Sequence, residues 1–529
     1  MEPPLNQISG LIKFIAMNKR TSIICFFLIN MFSFSQTSDT LSTLPDEQIF
    51  VHLNTSFLVT GETLYYKIYC INSETKKLSN LSKVAYIELI DDAFKRVVKH
   101  KLILEKGVRN GDVFMPSSLS TGNYKFIAYT NWMLNKKVIF EHDIFIVNPL
   151  VNNQPNVPLN KELIKGLDYE VTKKEDQIKG NQVLSLQVPN TPYKAREKVQ
   201  LTFSTLKGQS AYGNYSVSVK KDVPINIPEL KTTERYMVDN DVNTGLFVNN
   251  VLLPEFRGDL IEGLLKNRET GNLENNKNIA LSIPGKNPLF KVSNTNANGQ
   301  FYFNITEAYE NESALIYVLG IDKEEATTYD IEIKKDIQID YSDFVFSKYK
   351  LTKKDESFLL RKFINIQIEN SYQAVKRDTL QEEKAVMPFY GFEAKDYYLN
   401  DYKRFATLKE TFVEVIENAW ITKRNNTYFF ETKLDASKSD YRLPTLLFMD
   451  GVLIEDHGDI IDYVANDIDK ISILNERYVY GPLMFDGVIS IKTKRGDFKR
   501  PSRKFQDIRL TKPLSKKVYF AADYSKPHS

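Results

Sequence analysis

LLFMDGVLIEDHGDIIDYVANDIDKISIL, residues 446–474, sets two short apolar runs around a stretch dense in Asp and Gly. LLFM and KISIL have the length and composition of buried strands, and Asp450-Gly451 between apolar runs reads as a tight turn. DIIDYVAN, with Asp459 placed as N-cap, reads as a helix. Just downstream GVISIKTK, residues 487–494, adds a further strand, at whose start Gly487 permits a backbone geometry that a Cβ would oppose. Strand alternating with helix marks a small α/β unit. Within it LIEDHGD offers four ligand-type side chains, Glu455, Asp456, His457 and Asp459. Adjacent loop residues seldom converge on one ion, so the reading is a solvated loop with a helix cap and no metal.

Working outward, Thr407-Leu408-Lys409-Glu410 is a capping box that opens LKETFVEVIEN, and Asn425-Asn426 joins AWITKR to TYFFETK as a hairpin. Residues 386–500 thus form one unit, preceded by a helical connector over 341–385, where DESFLLRKFINIQIENSYQAV has near-helical apolar spacing, and followed by a tail over 501–529. Everything further upstream is β-rich. QIFVHL, TLYYKIYCI, KVAYIELI, VVKHKLIL and NYKFIAYT, separated by turns such as Thr60-Gly61-Glu62 and Ser120-Thr121-Gly122-Asn123, predict a β-sandwich over 47–149. VLSLQV, VQLTFST and YGNYSVSVKK predict a second sandwich over 165–250, after an Asn- and Pro-rich linker. A third is predicted over 251–340, with Asn298-Gly299 as a hairpin turn.

The fold class is therefore mainly β: tandem sandwiches followed by a small α/β domain. At 529 residues, three or four cores are needed. Lys and Arg number 70 against 67 Asp and Glu, a net charge of +3 without clustering, which argues against nucleic acid as a partner. Met17-Asn18-Lys19-Arg20 followed by TSIICFFLINMFSFSQ has the layout of a secretory signal peptide over residues 1–35, with Met17 the better initiator. Its apolar run is too short to span a bilayer, and no later run is longer, so no transmembrane segment is expected in the mature chain. Cleavage would remove Cys25 and leave Cys70, inside an apolar run, as a buried thiol.

Two resemblances sharpen this reading. SFLVTGETLYYKIYCIN with FMPSSLSTGNYKFIAYT resembles the macroglobulin (MG2-type) sandwich of the α2-macroglobulin family, although Thr60 stands where that pattern usually has Pro. The resemblance raises the prospect of an internal thioester, which needs a Cys-Gly-Glu-Gln-like motif; Cys70 is followed by Ile71-Asn72-Ser73-Glu74, so covalent trapping is not expected. Four landmarks resemble the plug of TonB-dependent outer-membrane receptors: Asp450-Gly451, the Asp467 to Ile471 strand, Tyr480-Gly481, and residues 487–494. Asp486 replaces a usual Gly, and Asn475 to Val479 lacks the usual small residues. A plug regulates transport only inside a barrel, which residues 496–529 are too few to form.

No GxSxG, HExxH or GxxxxGK[ST] motif occurs. Ser73 to Lys76 and Ser347 to Lys350 fit SxxK without its companion motifs. No enzyme activity, catalytic residue, cofactor or metal is expected. The reading is an exported binding or scaffold protein, periplasmic or associated with the outer membrane or cell surface, whose plug-like domain docks on an envelope protein or ligand. The alternative is a truncated or split TonB-dependent nutrient receptor lacking its barrel.

Overall fold

A computed structural model describes residues 44–150, parts of 184–237, and 251–521 apart from 286, 308, 310, 321–324, 335–336, 350, 352–354, 373–376, 382–387, 392, 435–442, 481–482 and 499–505. The predicted signal peptide lies outside the described residues.

The N-terminal sandwich is built from β1 (Glu47–Leu53), β2 (Phe57–Val59), β3 (Thr63–Asn72), β4 (Val84–Asp91), β5 (Arg96–Ile103), β6 (Val108–Phe114), β7 (Gly122–Tyr129), the one-turn α1 (Asn131–Leu134) and β8 (Phe140–Val147). One sheet has the order β1-β3-β6 and the other β2-β8-β7-β4-β5. Ile49, Leu64, Ile68, Cys70, Ile87, Phe126 and Ile144 meet between them, so Cys70 is a buried free thiol as expected. Burial pushes its pKa well up, which keeps it an unreactive thiol.

The five-stranded sheet is apolar on its outer face as well, and the connector explains how that face is covered. Part of it, Phe57, Val59, Phe145 and Val147, packs against Leu351, Phe358, Phe363 and Ile366. The last three belong to a helix between the sandwich and the C-terminal unit, α2 (Glu356–Ser371). The remainder, Val84, Tyr86, Ile127 and Tyr129, is covered by Ile339, Tyr341, Phe344 and Phe346. The predicted turn at Gly61, φ +93°, brings the backbone against α2: a Cβ there would lie 3.0 Å from Ile366, and Asn370 donates to the Gly61 carbonyl.

Of the second predicted sandwich the described residues show one strand pair, β9 (Leu184–Gln187) with β10 (Thr202–Thr205). Residues 213–220, predicted as a strand, are not one. They lie along the N-terminal sandwich instead, where Lys67 donates to the Asn214 side chain and the Tyr215 carbonyl. Ile225 and Tyr236 are likewise buried against that sandwich.

The central sandwich contains β11 (Asp259–Asn267), β12 (Asn278–Ile283), β13 (Leu289–Asn294), β14 (Gln300–Ile305), β15 (Ser313–Val318) and β16 (Tyr329–Ile333). Asn298-Gly299 does form a turn, with Gly299 at φ +66°, but not the predicted hairpin. β13 pairs with β12 and β14 with β11, so the turn carries the chain from one sheet to the other. The Leu265 N–H donates to the Gly299 carbonyl and fastens this arch to β11.

The C-terminal unit has β18 (Lys395–Tyr398), α3 (Leu408–Glu414), the hairpin β19 (Ala419–Arg424) and β20 (Thr427–Thr432), β21 (Leu446–Met449), β22 (Val452–Leu453), β23 (Ile468–Tyr480) and β24 (Leu483–Thr493), after a two-residue β17 (Thr379–Leu380). Its sheet order is β18-β23-β24-β21-β22. The N-cap half of the box holds, with Thr407 Oγ1 accepting from the Glu410 N–H, while the Glu410 carboxylate accepts from the Ala406 N–H and not that of Thr407. Asn425 and Asn426 both take positive φ, as a two-residue hairpin turn requires. The predicted helix DIIDYVAN is absent; residues 457–460 and 465–467 form single 3-10 turns. The cap is Asp456, which accepts from the Gly458 N–H, and not Asp459. The link over residues 454–467 bonds to the start of α3 instead: the Leu408 and Lys409 N–H groups donate to the Tyr463 and Ile461 carbonyls, and the Ala465 N–H to the Ala406 carbonyl, which takes the backbone groups an α-helix would pair internally.

The C-terminal segment is no free appendage. Its strand β25 (Gln506–Arg509) completes the central sandwich by pairing with β15, and β26 (Lys517–Val518) pairs with β17. Between them the Leu514 N–H donates to the Lys101 carbonyl and Arg109 donates to the Leu514 carbonyl, so the segment stitches the two sandwiches together. Among the described residues no helix is long and apolar enough to cross a membrane.

Candidate binding cleft

Strand alternation gives the C-terminal sheet two unlike faces. Ile471, Ile473, Ile489, Ile491, Leu447 and Met449 face α3 and the β19–β20 hairpin as a closed core. On the opposite face, Phe448, Leu446, Leu474 and Val488 pack on Phe290, Ala280 and Tyr317 of the central sandwich. Phe448 is the hub: its ring centroid lies 4.8 Å from Phe290 and 4.9 Å from Phe389, both edge-on. The Tyr480 hydroxyl donates to the Phe290 carbonyl, and Tyr478 to that of Phe389 at 2.5 Å.

Where this apolar patch ends, the same face turns polar and a cavity of about 340 Å3 opens. Antiparallel register sets Ser472 opposite Ser490 and Lys470 opposite Lys492, while β18 sets Asp396 opposite Ser472. Asp396 accepts from Lys470 Nζ at 2.8 Å and from Ser472 Oγ at 2.6 Å. Phe389, Tyr390 and Pro388 form the apolar wall.

Asp450 closes the cleft's base. Its carboxylate accepts from the Thr493 N–H at 2.8 Å, Thr493 Oγ1 at 2.5 Å and the Phe498 N–H at 3.0 Å, which satisfies a side chain only 2 % exposed. Gly451, at φ +83°, lets the turn approach the central sandwich: a Cβ would sit 2.0 Å from Pro288. Two lysines and two aspartates balance in charge, so the cleft suits a neutral, hydrogen-bonding small molecule with a face that stacks on aromatic rings. Ser472 donates directly to a carboxylate with no histidine between them, which is not the arrangement of an activated nucleophile.

The other sequence landmarks have structural tasks. Asp486 is buried, accepting from the Leu443 N–H at 2.7 Å and Arg477 Nε at 3.2 Å, while its carbonyl accepts from Thr432 and Thr445. Gly487, φ +86°, is required because a Cβ would meet Thr432 Oγ1 at 2.3 Å. LIEDHGD is not a solvated loop throughout. His457 is buried, its Nδ1 accepts from the Phe430 N–H at 2.8 Å, and burial lowers its pKa to about 4. Glu455 reaches elsewhere, accepting from the Gly320 N–H, and Asp459 is exposed. The four therefore do not converge, and among the described residues no group of three His, Cys, Asp or Glu is placed to hold a metal. Ser73 to Lys76 is a turn capped by Asn72, and Ser347 donates to Asp143.

Sequence reasoning passed over Asp396, Lys470, Ser472, Ser490 and Lys492. The signal was present as polar residues at alternate positions of otherwise apolar strands. What could not be seen was the register that sets them side by side.

No family model matches the chain, and no curated protein does. Solved structures similar to it include Salmonella α2-macroglobulin reacted with methylamine, at 10% identity over 90% of this chain and 21% of that one, with a TM-score of 0.17. Trypsin-activated α2-macroglobulin from Escherichia coli matches at 11% identity over 54% of this chain and 15% of that one, TM-score 0.17. Spo0M, a sporulation control protein from Bacillus subtilis, matches at 7% identity over 20% of this chain and 50% of that one, TM-score 0.15. The chain thus spans half or less of each of these neighbours. Such TM-scores carry no argument, and the sandwich assignment rests on the strand pairing above.

Proposed function

We propose that this is an exported binding or scaffold protein of the cell envelope, in which tandem sandwiches present the C-terminal sheet to an outer-membrane protein or a ligand. The observation that carries this reading is the long β23–β24 arm. β18 pairs with residues 470–473 of β23 only, so beyond them β23 pairs with β24 alone among the described residues. Val479 and Met484 on this arm are 61 % and 47 % exposed. Tyr478 and Tyr480 meanwhile anchor it to Phe389 and Phe290. An open strand edge with exposed apolar side chains on a rigid mount suits strand addition by a partner. The order of the four plug-like landmarks supports an outer-membrane partner.

Co-purification with the tagged full chain from solubilised envelopes tests the proposal. An outer-membrane protein that is recovered with the wild type, and lost with Val479→Lys/Met484→Lys, is the expected result. A protein free in the periplasm with no envelope partner would overturn it.

A further inference from the structure

The N-terminal and central sandwiches meet through a buried polar network. Lys101 on β5 is 2.7 Å from Asp259 on β11, with both side chains buried. Tyr309 donates to the other Asp259 oxygen at 2.9 Å and lies 3.2 Å from the Thr511 carbonyl of the stitching segment. Glu255, 1 % exposed, accepts from Tyr86 of β4 at 3.1 Å through Oε1, with the Leu260 N–H at 3.5 Å from the same oxygen. Its Oε2 is buried without a hydrogen-bond partner among the described residues. Tyr129 of β7 stacks on Tyr86, and Lys99 and Lys101 of β5 sit over the Tyr86 ring.

Two carboxylates therefore lie near one buried cation that pairs with Asp259, and Glu255 keeps a bare oxygen. Desolvation, with Asp259 adding to it and Lys101 opposing, raises the Glu255 pKa from 4.5 to about 8.

We propose that the junction between the two sandwiches is a proton-dependent latch, closed when Glu255 carries a proton and loosened when that proton leaves. Three hydrogen bonds cross the seam and report its state. The Lys83 N–H donates to the Glu255 carbonyl, the Leu252 N–H to Asn135 Oδ1, and the Leu514 N–H to the Lys101 carbonyl, each at 2.8 Å. In the open form Glu255 meets water and ionises near 4.5. Closure is then strongest below that pH, weakens up to about tenfold per unit as pH rises towards 8, and levels off above it.

Hydrogen–deuterium exchange of the full chain from pH 5 to 9, corrected for intrinsic exchange, tests this. Peptides containing Lys83, Leu252 and Leu514 should lose protection across that window and then plateau. Glu255→Gln should remove the pH dependence, while circular dichroism verifies folding. Asp259→Asn, which removes the like charge that helps raise Glu255 in the closed form, should bring the plateau to lower pH while the onset stays in place. Flat protection in the wild type would overturn the latch, as would an unchanged slope in folded Glu255→Gln. Should Glu255→Gln not fold, a plateau at the wild-type pH in Asp259→Asn overturns it.

Discussion

The central sandwich is gripped at two ends by opposite chemistry. Towards the N-terminus the grip is the Lys101–Asp259 ion pair with Glu255 and Tyr86, polar groups withdrawn from water. Towards the C-terminus it is Phe290, Phe448 and Phe389, rings meeting edge to face. Aromatic burial is insensitive to pH and tolerant of small shifts, and it holds a mount in place. Buried ions add little net stability when paired but make the seam depend on every partner being present. The first arrangement is suited to response and the second to rigidity.

The contrast can be broken most forcibly at Phe448. Phe448→Ala should cost about 3–5 kcal/mol, because the rings on both sides lose their partner and a cavity remains. Chemical denaturation should show this loss at pH 6 and pH 8 alike. At the polar seam, Lys101→Met should cost about 3 kcal/mol by leaving the Asp259 carboxylate buried without its cation. That figure is at the low end of such losses because Tyr309 still donates to Asp259. Adding Asp259→Leu to Lys101→Met should recover most of it, and a double variant no more stable than the single one would contradict the pairing.

A smaller effect separates the regions by pH. His457 is neutral in the fold down to about 4, while its ordinary value is 6.5. Its contribution is fully present above 6.5 and is lost as pH falls from there to about 4, at up to about 1.4 kcal/mol per unit. Glu255 acts in the reverse sense, losing its contribution as pH rises. Stability–pH curves of His457→Gln should therefore lose slope on the acid side alone. The smallest expected change is Thr407→Ala, about 1 kcal/mol from the lost cap on α3, read from the denaturation midpoint.

Local chemistry was legible wherever a short stretch is sufficient to settle its own conformation. Thr407 with Glu410, Asn425-Asn426, Asp450-Gly451 and the Thr60-Gly61-Glu62 turn all behave as their residue types require. Cys70 in its apolar run is buried, and the mainly β character follows from alternation. Errors arose where two partners of equal local merit compete. Asn298-Gly299 is a good turn for a hairpin or for an arch between sheets, and the choice belongs to β11 and β12, which claim the flanking strands. DIIDYVAN has helical spacing, but its Ile461 and Tyr463 carbonyls accept from the first residues of α3, and only 3-10 turns form.

Composition and periodicity thus carry the inventory of strands, turns and caps, since these are set by φ, ψ preferences and by apolar residues a few positions apart. Long-range register carries the rest. The juxtaposition of Lys470 with Lys492, the clasp made by residues 506–518, and the meeting of Glu255, Asp259 and Lys101 join positions far apart in the chain. Such meetings depend on which surfaces exclude water together, a property of the packed whole that no local window contains.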